Sequence, residues 1–363
     1  MPRTIGLMSG TSLDGVDAAW METDGESVTA FGPTLTIPYD KALRGDLRSI
    51  LDSAIGLAPT DPALASVVSR LTASHVRAVK ALERPADLIG FHGQTILHQP
   101  DKRRTWQVGD AALLARETAI PVAYDFRSAD VAAGGEGAPL APVYHAALAR
   151  DLPRPVAVLN IGGVANVTWI GEGGIEGENL IAFDTGPGNG PLDDWVTRHT
   201  GQAFDRDGVL ARSGTVDTAV LSRLMAHPYF SRPAPKSLDR LDFSRALAVS
   251  GVDALTAADG AATLVAFTAA SVAASVRTSM FPVPPRQWLV TGGGRHNSAI
   301  MTALRAALGV PVEPVETVGW DGDALEAQCF GFLAARVMRG LPLSFKGTTG
   351  VPQAMPGGRI VTG

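Results

Sequence analysis

Residues 6–17 read GLMSGTSLDGVD. A short apolar run (residues 5–8) leads into a loop of Gly, Ser, Thr and Asp, and residues 16–20 resume an apolar, partly alternating pattern that ends in Trp20. That grammar predicts two strands joined by a small-residue turn. The stretch packs three hydroxyls, three glycines and two aspartates into twelve positions. Such a turn leaves backbone N–H groups open to an approaching anion, which suits a phosphate better than a packed core.

The same grammar recurs along the chain. Helical spacing over 41–57 and 63–82 is followed by a strand in 86–98, ADLIGFHGQTILH, expected to end at Gly93. Residues 156–170, VAVLNIGGVANVTWI, repeat the opening pattern of apolar run, glycine turn and alternating run, again with a Trp near the end. A third strand in 180–196 runs through Asp184 into a Gly-rich turn and a helix from about Leu192. A fourth, in 287–304, runs into TGGG and a helix that Asn297 can cap. The recurrence implies a pseudo-repeat in two halves.

With 363 residues, 45% hydrophobic and 18% charged, the chain has material for two cored domains and is not a disordered one. A net charge of -5 without a Lys/Arg cluster gives no footprint for nucleic acid, so a small-molecule partner is expected. The single cysteine, Cys329, excludes an internal disulfide framework; in its helical pattern it reads as a buried structural residue. No signal-peptide pattern is read at the N-terminus, and residues 261–276, interrupted by Ser and Thr, read as a buried helix rather than a membrane span. A cytoplasmic protein is expected. Residues 132–142 read as a soft boundary, 232–240 as a surface loop and 346–358 as a loop-like tail.

Four strands ending in small-residue turns point to a nucleotide as their common ligand. The candidate turns hold Ser9, Gly10, Thr11, Ser12, Asp14 and Gly15; Gly162 and Gly163; Gly186, Gly188 and Asn189; and Gly292, Gly293, Gly294 and Asn297. Neither G-x-x-x-x-G-K-[ST] nor a helix-opening G-x-G-x-x-G is present, which weakens the P-loop and dinucleotide alternatives. In the first turn Ser9, Thr11 and Ser12 can donate to phosphate oxygens, and Asp14 can hold magnesium through water. Asp184, at a strand end before a turn, is either a general base or a local cap on the next N–H. Gln94 and Thr95 suit a sugar's hydroxyls; His92 and His98 lack partners for a zinc site. Arg127 either binds a substrate carboxylate or pairs with Asp130. Asp323 and Glu326 fall on one face at a helix start, where the dipole alone favours acids.

Taken together, GLMSGTSLDGVDAAW, GFHGQTILH, DFRSADVAAGGEGAPL, LNIGGVANVTW, FDTGPGN, TGGGRHN and DALEAQCFGFLAARVMRGLPLS closely resemble the anhydro-N-acetylmuramic acid kinase family, in order, from residue 5 to about residue 350. The resemblance implies the actin-like, sugar-kinase and Hsp70 ATPase superfamily: an α/β protein of two ribonuclease-H-like domains with the active site in the cleft between them. It places residues 1–130 with 341–363 in the N-terminal domain and 131–340 in the C-terminal one. It makes the opening loop the first phosphate hairpin, DTGPGN the second phosphate segment and TGGGRHN the adenosine segment. It further implies ATP and Mg2+ as cofactors, a homodimer, and the conversion of 1,6-anhydro-N-acetylmuramic acid to N-acetylmuramic acid 6-phosphate in murein recycling. Asp184 is then the base, with Gln94, Thr95, Arg127, Asp130 and Glu326 toward the sugar and its attacking water. The sequence departs from the family pattern at 235–243, PKSLDRLDF, where PKSTGREF is expected. A sugar-responsive regulator and an ordinary hexose kinase are the competing readings. The first lacks a helix-turn-helix segment before residue 5, and the second needs no water.

Overall fold

The computed structural model describes residues 1–10, 12–175, 179–238, 243–278 and 280–363. The chain forms two compact units, Met1–Leu148 with Ala324–Gly363, and Ala149–Asp323. Each is a mixed α/β layer structure around its own sheet.

In the first unit the opening stretch forms β1 (Arg3–Ser9) and β2 (Gly15–Thr23), paired antiparallel with Ile5 opposite Trp20. β3 (Val28–Pro38) extends the meander. β4 (Leu88–Gln99) lies parallel to β1 on its other side, followed by β6 (Val122–Tyr124), while β5 (Arg104–Val108) forms a hairpin on the far half of β4. The order β3-β2-β1-β4-β6, with only β2 antiparallel to its neighbours in the β3-to-β4 run, is the ribonuclease-H-like arrangement. β4 does not stop at Gly93 as expected. Gly93 takes φ +71° and the strand continues, because residues 94–99 find a second partner in β5.

Helix Leu325–Met338 belongs to this unit, which moves the domain boundaries expected at 130/131 and 340/341 to 148/149 and 323/324. The reason is a close approach. A Cβ on Gly6 would sit 1.8 Å from the Ala327 carbonyl oxygen, and one on Gly90 1.9 Å from that of Phe330. Only glycine on β1 and β4 lets the helix backbone rest on the sheet. Cys329 is buried in that helix, and burial pushes its thiol pKa up, as a structural cysteine requires. The tail expected as loop-like at 346–358 opens with a short helix, Lys346–Thr349, and is followed by a strand, Arg359–Val361, antiparallel to β6.

The second unit repeats the plan. β7 (Val156–Ile161), β8 (Val164–Ile170) and β9 (Leu180–Pro187) form an antiparallel meander, and β10 (Gln287–Thr291) and β11 (Val312–Pro314) add in parallel beside β7. The order β9-β8-β7-β10-β11 matches that of the first sheet, so the pseudo-repeat seen in the sequence is a repeat of topology. Helix Ala257–Arg277 meets the length and hydropathy of a membrane span, but most of it is buried against this unit's core, with Phe267 and Val272 essentially inaccessible.

Candidate active site

In the second unit β7, β9 and β10 all run in one direction, so their C-terminal ends, and the glycine turns that follow, gather at one edge of the sheet. This is where open α/β sheets hold their ligands. The turns are stitched together by their backbones. Gly188 N–H donates to Gly163 O at 3.0 Å, Asn189 N–H to Gly162 O at 2.7 Å, and Gly190 N–H to Gly163 O at 3.1 Å. The Asn189 amide donates to Ile161 O at 3.2 Å. The N–H groups at Gly188 and Asn189 are therefore spent on the Gly162–Gly163 turn rather than left for phosphate, a correction to the expectation for the second phosphate segment. What this stitching provides is a fixed frame of small residues.

Gly292 follows β10 at φ 76°, ψ 174°, a conformation essentially restricted to glycine, and a Cβ there would meet Asn160 Oδ1 at 2.3 Å. Gly293 and Gly294 lie beside Asn189. Arg295, buried, fastens this turn: it donates to Gly292 O at 3.0 Å and pairs with Glu316 and Asp323, each at 2.8 Å. Asp323 thus serves the TGGG turn and lies outside helix Leu325–Met338, not on one helical face with Glu326. Asn297 caps helix Ser298–Leu308 as anticipated, accepting from Ala299 and Ile300 N–H, and donates to Asp205 O at 3.3 Å. Its side chain is buried and engaged as the cap.

Asp184, on β9, is partly exposed and held by the segment around Tyr229 and Lys236. Its N–H donates to Lys236 O at 3.0 Å, its carbonyl accepts from the Tyr229 hydroxyl at 2.5 Å, and Oδ2 accepts Leu238 N–H at 2.7 Å. Residues 232–238 are therefore not simply a surface loop. Lys236 is only 5% exposed, and its ammonium donates to Tyr229 O at 3.0 Å while lying 4.4 Å above the Tyr229 ring. Burial, with Arg232 second, lowers its pKa to about 8. Asp239 and Arg240 of the expected loop lie outside the described residues.

In the first unit the β1–β2 turn is closed by Leu13 N–H to Gly10 O at 3.2 Å, with Leu13 in the left-handed region at φ 59°. Ser12 and Asp14 are exposed, Gly10 is partly so, Gly15 is buried against β3, and Thr11 lies outside the described residues. Asp14 forms an exposed pair with Arg44 at 2.7 Å, a partner that sequence spacing gave no sign of. Ser9 departs from expectation. It is buried, its hydroxyl donates to Gln94 Oε1 at 2.6 Å, and it shares a hydrogen bond with Tyr39 at 2.5 Å. Gln94 is equally buried and its amide donates to Thr95 O. These two side chains brace the parallel ends of β1 and β4; neither is open to phosphate or sugar. Thr95 is partly exposed, its hydroxyl accepting from Gln107.

Arg127 and Asp130 do not pair with each other. The Arg127 Nε–H donates to His92 Nε2 at 3.1 Å and a terminal N–H to Gly137 O at 2.7 Å. His92 must then be neutral with its proton on Nδ1, which faces Gly93 O at 2.8 Å; burial first and Arg127 second hold its pKa well below the usual value. Asp130 is buried, accepting from Gly137 N–H at 2.6 Å, from the Thr349 hydroxyl at 2.6 Å and from the Ser344 hydroxyl. It ties the tail to helix Ser128–Ala132, and its burial turns it toward the protein rather than toward a ligand. Glu326 is open to solvent, yet the protein around its carboxyl limits hydration and raises its pKa, Asp17 adding to the effect and Arg127 opposing it. Glu326 thus senses both Arg127 and Asp17, a local charge coupling of the kind that sites collect.

Among the described residues no cluster of three His, Cys, Asp or Glu side chains is arranged for a metal ion. Asp14, exposed at the first turn, is a single carboxylate of the kind that magnesium engages through waters and phosphates.

A sequence model of the family described as "Anhydro-N-acetylmuramic acid kinase" matches residues 2–363. An anhydro-N-acetylmuramic acid kinase of Acidiphilium cryptum is 64% identical over 359 residues, covering 99% of this chain and 98% of the relative. One from Gluconobacter oxydans is 56% identical, covering 99% and 100%. Among solved structures, the component A of (R)-2-hydroxyglutaryl-CoA dehydratase from Acidaminococcus fermentans aligns over 92% of this chain and 99% of its own at 13% identity, TM-score 0.46. Identity above half over essentially the full length of both chains settles the matter: this protein belongs to the anhydro-N-acetylmuramic acid kinase family.

Proposed function

We propose that the protein uses ATP and water to open the 1,6-anhydro bridge of N-acetylmuramic acid and to phosphorylate O6, giving N-acetylmuramic acid 6-phosphate and ADP. The step belongs to cell-wall recycling in the cytoplasm, and the enzyme works as a homodimer; family membership supports both statements. The observation that carries the chemical reading is the carboxylate of Asp184. It projects from the C-terminal half of β9, partly exposed, one oxygen fixed by Leu238 N–H.

In this reading Asp184 takes a proton from water as that water's oxygen bonds to the anomeric carbon. The C1–O6 bond breaks, and O6 keeps the bonding electrons and attacks the γ-phosphorus, from which ADP departs. The charge leaving C1 passes straight to phosphorus, so O6 needs no acid. Positioning and electrostatics supply most of the acceleration in such transfers. Gly10, Thr11 and Ser12 cradle the phosphoryl group. The glycines at 162–163, 186, 188 and 292–294 admit the nucleotide closely because they carry no side chain. Arg127, pre-oriented by His92, meets the sugar's carboxylate, and Thr95 and Glu326 its hydroxyls and the attacking water. Asp14 would hold Mg2+ through water, where the ion neutralises phosphate charge.

The test is ADP release by the purified protein with ATP and Mg2+. The proposal expects turnover only when 1,6-anhydro-N-acetylmuramic acid is added. Turnover with a free hexose or amino sugar but none with the anhydro sugar would sink it.

A further inference from the structure

The buried lysine next to Asp184 has no place in the chemistry above, and its setting is costly. A lysine that is 5% exposed, its ammonium given the Tyr229 carbonyl as hydrogen-bond acceptor and the faces of Tyr229 and Phe183 at 4.4 and 5.8 Å, gives up hydration for little return. A methionine of similar length would fill the same space without that loss. What the lysine does achieve is a closed ring of contacts. Its side chain grips Tyr229 O, the Tyr229 hydroxyl reaches Asp184 O at 2.5 Å, Asp184 N–H returns to Lys236 O at 3.0 Å, and two residues on Leu238 N–H meets the Asp184 carboxylate at 2.7 Å.

We propose that Lys236 and Tyr229 are positioning residues: together they brace segment 229–238 so that Leu238 N–H aims the Asp184 carboxylate at its proton. The proposal rests on the reading of Asp184 as the base. Neither side chain touches substrate in this account. Each acts through the backbone that presents and orients Asp184, so loosening the brace affects the chemical step and leaves ligand affinity alone. Misplacing a catalytic group by a fraction of an ångström is enough to slow chemistry without weakening binding.

The test compares Tyr229→Phe, Lys236→Met and the double variant in the sugar-dependent ADP assay, with Asp184→Asn alongside. Each single variant is expected to lose about tenfold in kcat with KM for ATP and for the sugar within about twofold of the parent. Because both changes open the same brace, the double variant should fall no further than the worse single, a coupling that independent structural damage does not produce. Tyr229→Phe removes one hydroxyl only, so it carries the test by itself if Lys236→Met fails to fold. Unchanged kcat in folded variants, KM effects at constant kcat, or losses that multiply in the double variant overturn the brace while leaving Asp184 in place. Asp184→Asn turning over like the parent overturns the base assignment and the brace with it.

Discussion

Asp184→Asn is expected to cut sugar-dependent ADP release by about a thousandfold, within the range that a positioned general base contributes. The substitution is nearly isosteric. Leu238 N–H still finds an oxygen if the amide presents its carbonyl, and the backbone contacts of Asp184 to Lys236 and Tyr229 are untouched, so the fold around β9 should persist. What is lost is the capacity to take a proton from water. ATP affinity, measured by calorimetry, should change less than about twofold, since the interaction removed is one made in the transition state. A variant that retains turnover within about tenfold of the parent would show that another group removes the proton.

Gly292→Ala should damage both stability and nucleotide affinity. At φ 76°, ψ 174° the backbone is where an L-residue is strained by about 1–3 kcal/mol. Its Cβ would also fall 2.3 Å from Asn160 Oδ1 and 2.7 Å from Ile161 O. The asparagine can move, but the Ile161 carbonyl is backbone of β7 and cannot do so cheaply. We expect about 3 kcal/mol lost in denaturant unfolding and at least a tenfold rise in KM for ATP, because the displaced turn is the one Arg295 fastens. Gly293→Ala is the control. Its added Cβ would find its nearest neighbour, Asn189 Nδ2, at 3.6 Å, an ordinary contact, so its effect on stability should stay below about 1 kcal/mol.

Local pattern carried much of the fold. The opening strand, turn and strand, the repeat of that unit at 156–170, the buried helix at 257–277 and the Asn297 cap all follow from residues within a few positions of one another. The placement of Leu325–Met338 does not. It depends on glycines more than 200 positions earlier, Gly6 and Gly90, whose significance appears only when a helix lies on them.

Polar site residues were harder still, because a hydroxyl or amide in a loop motif looks the same whether it faces a ligand or a distant part of the chain. Ser9 finds Gln94, 85 positions on, and Asp130 finds Thr349, 219 positions on. Both pairs consume groups that read as ligand contacts. Lys236 was hidden for the opposite reason. Set among prolines and charges it reads as surface, and its one distinguishing mark was that the surrounding PKSLDRLDF departs from the family pattern at the residues after the lysine, not at the lysine.

The most direct measurement of the central claim is mass spectrometry of the sugar phosphate made in water enriched in oxygen-18. The account predicts one solvent oxygen at C1 in the product at the moment of turnover, read by rapid quench before anomeric exchange, with the phosphate on an O6 that keeps its original oxygen. A product formed with no solvent oxygen at C1 would mean that the phosphoryl group goes to a hydroxyl already present, and the anhydro bridge is not what this enzyme opens.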